Sequence, residues 1–102
     1  MYVRGTDVQV KSGKMQELIK VYDDLVVPAQ KAAKGYQGSY LMTDASSGKA
    51  IAISIWETEA DMLASESDSG YLQEVLTKLA GLDIFEGPPK LDKYELSSEN
   101  SP

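Results

Sequence analysis

Neither cysteine nor histidine occurs among the 102 residues, and those two absences exclude more chemistry than any single residue present supplies. Without cysteine there is no disulfide framework, no thiolate for an iron–sulfur cluster or haem, and no nucleophilic thiol. Without histidine, Ser-His and Cys-His catalysis and imidazole-bound zinc or iron are excluded as well. Only carboxylates remain as metal ligands. The adjacent Asp23 and Asp24 of a predicted helix point in different directions, so no metal is expected. Positive charge is scarce: 10 Lys and Arg face 16 Asp and Glu, for a formal net charge of −6. Nucleic acid lacks a basic footprint to bind, and anionic membrane surfaces would repel the chain. No apolar run approaches the length of a transmembrane helix. The opening residues, MYVRGTDVQV, read as a strand rather than a signal peptide. Together with the missing cysteine, this makes a cytoplasmic location the expectation. There is neither a P-loop nor a G-x-G-x-x-G, since Gly35-Tyr36-Gln37-Gly38 enters a strand with no phosphate-cradling helix behind it. No cofactor is expected.

What is present organises into one domain, expected over residues 1–97, with a disordered tail over 98–102. Tyr2 to Val10 has strand character, with Val8 and Val10 alternating against Asp7 and Gln9. A Lys11-Ser12-Gly13 turn follows, with Ser12 as the expected N-cap of the first helix. In that helix Met15, Leu18, Ile19, Tyr22, Leu25 and Val26 recur at three- and four-residue steps. Pro28 predicts a kink rather than a stop, because it removes the amide that would bond to the carbonyl of Asp24. Tyr36 to Thr43 and Lys49 to Trp56 read as a hairpin closed by Asp44-Ala45-Ser46-Ser47-Gly48. In its second strand Ile51, Ile53 and Ile55 share one face, and Ala50, Ala52, Ser54 and Trp56 the other. Thr58-Glu59-Ala60-Asp61 resembles a capping box opening a short helix. A second helix carries Tyr71, Leu72, Val75, Leu76 and Leu79, with Gly81 expected to close it. Leu91 to Ser97 reads as the last strand. The order is strand, helix, strand, strand, helix pair, strand: an α+β fold of the split β-α-β kind, with helices on one side of an antiparallel sheet.

The segment GYQGSYLMTDASSGKAIAISIWETEADMLAS, from Gly35 to Ser65, is the most distinctive. A Gly-aromatic-x-Gly strand, a short hairpin, and a strand ending on Trp56-Glu57-Thr58-Glu59 before a helix resemble the antibiotic-biosynthesis-monooxygenase-like family. The resemblance runs from about Val8 to Glu95. It implies a ferredoxin-like fold that pairs into a dimeric α+β barrel, hence a homodimer, with a pocket between helices and sheet. It also implies cofactor-free oxidation of a small electron-rich aromatic such as an anthrone or quinol. Haem-degrading members of the group use an Asn on the first strand and a His on a helix. Here Thr6 stands at the strand position, Ser65 stands near the position of a family helix His, and no His exists.

Candidate pocket residues are Thr6, Tyr22, Tyr36, Tyr40, Trp56 and Tyr71, with Arg4, Glu57 and Ser65 as polar or acid–base candidates. Tyr36 and Tyr40 are read on one side of the second strand, with Gly38 between them leaving room. Tyr22 and Tyr71 lie on apolar helix faces, where each hydroxyl needs a partner. Trp56 reads first as a packing residue at a strand end, being mostly a large apolar body with one donor, and second as a ligand contact. Arg4, the only arginine, reads as a surface charge on a strand edge or as a cavity-facing group suited to an anionic phenolate. A non-catalytic dimer that binds a small apolar ligand or serves as an interaction domain, and an isomerase or decarboxylase using Glu57 or Tyr22, are the competing readings.

Overall fold

The computed structural model describes residues 1–102 as a four-stranded antiparallel sheet covered on one side by helices. In chain order the elements are β1 (Tyr2–Gln9), α1 (Met15–Val21), a π-helical turn (Tyr22–Val26), α2 (Val27–Lys31), β2 (Tyr36–Asp44), β3 (Lys49–Trp56), α3 (Glu59–Glu66), α4 (Tyr71–Gly81) and β4 (Lys90–Glu95). The strand order is β2-β3-β1-β4, so β1 is an interior strand. Arg4 therefore lies within the sheet, not on its edge, and is only 1% exposed.

Alternation along β3 divides the sheet into two unlike faces. Ala50, Ser54 and Trp56 are buried, and Ala50 and Ala52 pack on the helix-side core beside Leu18 and Tyr22 respectively. Small side chains here let the helix layer approach closely. Ile51, Ile53 and Ile55 point the other way, where their register partners include Val3, Tyr40 and Met42. Tyr94, paired with Val3, joins the same face. Tyr40, Met42 and Tyr94 are exposed, so this apolar face has no cover from the chain itself.

The register breaks once, between Tyr36 and Gly38. Tyr36 pairs with Trp56 and Tyr40 with Ile53, which places the two tyrosines on opposite faces rather than one. The cause is a β-bulge, whose extra residue inverts the alternation on one side of it. Gly38, with φ 156°, supplies backbone freedom for the bulge rather than room between two rings.

The helices follow their local signals with three differences. Pro28 does not stop the first helix, as expected, but in place of a simple kink the helix passes through the π-helical turn directly before it, the Val27 N–H reaching back to the Tyr22 carbonyl. A wider turn relieves the clash a proline ring makes with the carbonyl four residues earlier. Ser12 does not cap α1, because the turn at Gly13 (φ 80°) separates it from the helix and Lys14 occupies the N-cap. Gly81 remains helical, and Asp83 (φ 55°) takes the left-handed position beyond α4, its carboxylate paired with Lys11. Thr58 does cap α3, accepting from the Asp61 N–H at 3.0 Å. β4 ends at Glu95, two residues short of the expected strand.

Candidate functional site

Arg4 is the centre of the polar arrangement under the helices. From the interior strand β1 its guanidinium reaches α3 and the start of α4. Nη1 donates to Ser65 Oγ at 2.7 Å, Glu66 Oε2 at 3.1 Å and the Met62 carbonyl at 3.4 Å, and Nη2 donates to the Tyr71 hydroxyl at 2.6 Å. Glu66, 15% exposed, also meets Lys93 of the neighbouring strand β4 at 2.8 Å. Ser65 passes its own proton to the Met62 carbonyl at 2.6 Å. The buried charge is thus both paired and hydrogen-bonded, the condition under which an ion tolerates a low-dielectric site.

Aromatic rings complete its surroundings. The guanidinium carbon sits 5.4 Å from the Trp56 ring centroid and 5.7 Å from that of Tyr71. Trp56 and Tyr71 stack at 6.1 Å, and Tyr36 meets Trp56 edge-on at 6.0 Å. Trp56 is fully buried and donates from Nε1 to Ser54 Oγ at 2.9 Å. It holds the Arg4–Tyr71 unit from behind and does not line a cavity.

Beside this cluster, between the sheet and the helices, lies a cavity of about 60 Å³. Arg4, Thr6, Gln30 and Ser54 are its polar lining, Tyr22 and Tyr71 add hydroxyls, and Leu18, Val26 and Leu79 are among the apolar residues. Two buried polar atoms have no hydrogen-bond partner: the Tyr22 hydroxyl and Gln30 Oε1. Burial pushes the Tyr22 hydroxyl above its ordinary pKa, and nearby Ser39 and Gln30 offset this only in part. Burial likewise raises Tyr71, against the opposing charge of Arg4. Both phenols therefore stay protonated through the neutral range and are available as donors. Because Tyr71 already accepts from Arg4, its own proton is polarised toward whatever accepts it.

Of the residues singled out in the sequence, Arg4, Thr6, Tyr22 and Tyr71 line the cavity. Ser65 and Trp56 contact Arg4 from behind, and Tyr36 backs Trp56, its hydroxyl bonded to Ser39 at 2.8 Å. Two lie elsewhere. Tyr40, 63% exposed, is on the opposite sheet face, and Glu57 is exposed at the end of β3, its backbone N–H bonded to the Gly35 carbonyl. Gln30, Ser54 and Glu66 were not among the candidates. Ser54 was visible on the small-residue face of β3 but read only as packing. Gln30 and Glu66 carry no local signal.

Leu18, Tyr22, Val26 and Gln30 follow one another at four-residue steps, and all are buried against this cavity. In an unbroken α-helix, at about 100° per residue, the first and last would diverge by about 120°. The π-turn between them absorbs one extra residue, which cuts the divergence to about 20° and brings Gln30 round to the cavity.

A ferredoxin-like α+β sheet, helices on one face and a cavity between the layers define the structural class. Within it, the model of the antibiotic biosynthesis monooxygenase family matches residues 1–78, and the chain belongs to that family. It is 30% identical over 98 residues to the uncharacterised protein Rv2557 of Mycobacterium tuberculosis, covering 96% of this chain and 42% of the relative. The chain thus spans less than half the length of that curated relative. Among solved structures it resembles a monooxygenase from the ActVA-Orf6 gene of Streptomyces coelicolor in complex with nanaomycin D, with a TM-score of 0.83, 16% identity, and coverage of 99% of this chain and 91% of that one. It also resembles SnoaB, a cofactor-independent oxygenase from Streptomyces nogalater, with a TM-score of 0.76, 12% identity, and coverage of 96% and 94%. At these identities the likeness is one of fold.

Proposed function

We propose that the protein is a cofactor-independent monooxygenase acting on a small electron-rich aromatic of quinol or anthrone type. One observation carries this reading: an apolar cavity is bordered by protonated Tyr71, which is backed by buried Arg4, with Tyr22 and Gln30 also among its lining. In an anthrone, the methylene carbon loses a proton and the electron pair it leaves delocalises onto the carbonyl oxygen across the ring. Tyr71 donates to that developing oxyanion, the kind of preorganised stabilisation that acts only as charge appears. The carbanion reacts with O2, the peroxide takes up a proton, and loss of water leaves a carbonyl. One oxygen atom enters the product and the other leaves as water.

The chain has no histidine to take the first proton, Glu57 is exposed at the strand end, and Glu66 is held by Arg4 and Lys93. The proton therefore leaves to water from a substrate made more acidic by Tyr71. The cavity, about 60 Å³, is smaller than the roughly 150 Å³ of a cavity that takes up benzene, so binding displaces lining side chains. The working unit is a homodimer joined through the uncovered apolar sheet face, where Ile53 is central. The second reading, a non-catalytic dimer that stores a small ligand, draws support from the 12 hydrophobic residues among the 16 that line the cavity.

Oxygen uptake with anthrones, naphthoquinols and catechols in metal-free buffer separates the two. Tyr71→Phe is expected to cut turnover about 100-fold, the size of a lost oxyanion donor, while Glu57→Gln leaves it unchanged. Uptake no faster than autoxidation across the panel would leave the storage role.

A further inference from the structure

We infer that Gln30, together with Tyr22, determines specificity in this cavity by selecting aromatics that carry a free hydroxyl over the same ring blocked as a methyl ether. The inference rests on the cavity's being a site for a small aromatic and adds what that aromatic must carry. Gln30 is 4% exposed and Tyr22 6%, and both line the cavity. Gln30 Oε1 and the Tyr22 hydroxyl are the two buried side-chain polar atoms of the chain that lack a hydrogen-bond partner, the Ser39 and Gln30 side chains lying near the Tyr22 oxygen without closing a bond of good geometry. Buried polar groups are otherwise paired almost without exception, and leaving one unpaired costs free energy that a bound group can recover.

The two atoms are chemically complementary. Gln30 Oε1 can only accept, whereas the Tyr22 hydroxyl, held protonated by burial, can donate. A single ligand hydroxyl satisfies both, donating to Gln30 and accepting from Tyr22. A methyl ether accepts from Tyr22 but has no proton to offer Gln30 Oε1. Arg4 and Tyr71 do not duplicate this selection. Arg4 has no acceptor, and the Tyr71 oxygen already accepts from Arg4 at 2.6 Å. Gln30 is thus a reader of the ligand's proton, set beside the Arg4–Tyr71 pair that stabilises its negative oxygen, with its amide close enough to Tyr71 to favour the phenolate.

The test is calorimetric binding of 1-naphthol and 1-methoxynaphthalene to wild type, Gln30→Leu and Tyr22→Phe, with a melting curve for each protein. Wild type is expected to prefer the naphthol by roughly ten- to a hundredfold, the range set by one unmade buried hydrogen bond. In Gln30→Leu that preference should fall below about threefold through weaker naphthol binding, with no loss of thermal stability, because an unpaired acceptor has been replaced by an apolar group of similar size. A residue needed only for packing would instead lower the melting temperature and weaken both probes alike. Tyr22→Phe keeps the ring and should also reduce the preference, so a poorly folded Gln30→Leu protein does not leave the question open. Equal binding of both probes by wild type, or an unchanged preference in both variants, would overturn the inference while leaving the aromatic site standing. Failure of both probes to bind would remove the aromatic site itself, and the inference with it.

Discussion

Replacing Arg4 by Met removes the charge that ties β1 to α3 and α4 while keeping most of its apolar stem. Breaking a buried ion pair by deleting one partner costs about 3–5 kcal/mol where the other charge is left stranded. Here it is not stranded: Glu66 is 15% exposed and its other oxygen lies 2.8 Å from Lys93. Ser65 likewise retains its bond to the Met62 carbonyl. The uncompensated losses are the charge-assisted bond to Tyr71, the contact over Trp56 and part of the Glu66 attraction. Their sum, set against the relief of no longer burying a guanidinium, is about 2–3 kcal/mol. Urea denaturation with an unchanged slope should report it directly, and the melting temperature should fall by roughly 10 °C or more. Combining Arg4→Met with Lys93→Met supplies the decisive control. Without Lys93 the carboxylate is stranded, and the cost of losing Arg4 should rise toward about 3–5 kcal/mol. A cost below about 1 kcal/mol for the single variant, or no increase in the Lys93→Met background, would refute the view that this network organises the helix layer.

Two further outcomes follow from burial and charge. Tyr22 and Tyr71 both titrate above their ordinary value because burial disfavours the phenolate. Below about pH 10 folded and unfolded chains are equally protonated at these groups, and no stability depends on them. Above it the unfolded chain releases the protons first, so stability falls as pH rises, and Tyr22→Phe should flatten that fall in urea midpoints taken from pH 9 to 11; an identical slope would contradict the assignment. On the opposite sheet face, the proposed homodimer makes wild type a dimer in light scattering and Ile53→Lys a monomer, with little change in helix content. A dimer that survives the substitution would place the subunit interface elsewhere.

The sequence periodicities carried the fold but left the site half-drawn, and the residues show why. Alternation in β3 separated the isoleucines from Ala50, Ala52, Ser54 and Trp56, yet alternation is symmetric and does not say which face the helices cover. That is decided by the helix residues that need close approach, which the chain brings together only on folding. Arg4 looked like an edge charge because strand order is a property of pairing, and only the crossover that sets β4 beside β1 makes β1 interior. Tyr36 and Tyr40 were read together because period-two counting fails across a bulge by the one residue the bulge inserts. Gln30 was lost to the same arithmetic in a helix. Counted at 3.6 residues per turn from Leu18, it falls well off the apolar face and reads as a solvated polar residue before the C-terminus. Pro28 was the visible sign that the counting must change, since a helix that continues past an interior proline has to widen or bend near it. The widening chosen here, a π-turn over Tyr22–Val26, shifts the phase by one residue and carries a polar side chain into the cavity. The same turn holds Tyr22, so the two unpaired atoms of the site flank one local departure from α-helical geometry. The selectivity ascribed to them is thus inseparable from a backbone feature that a proline marks.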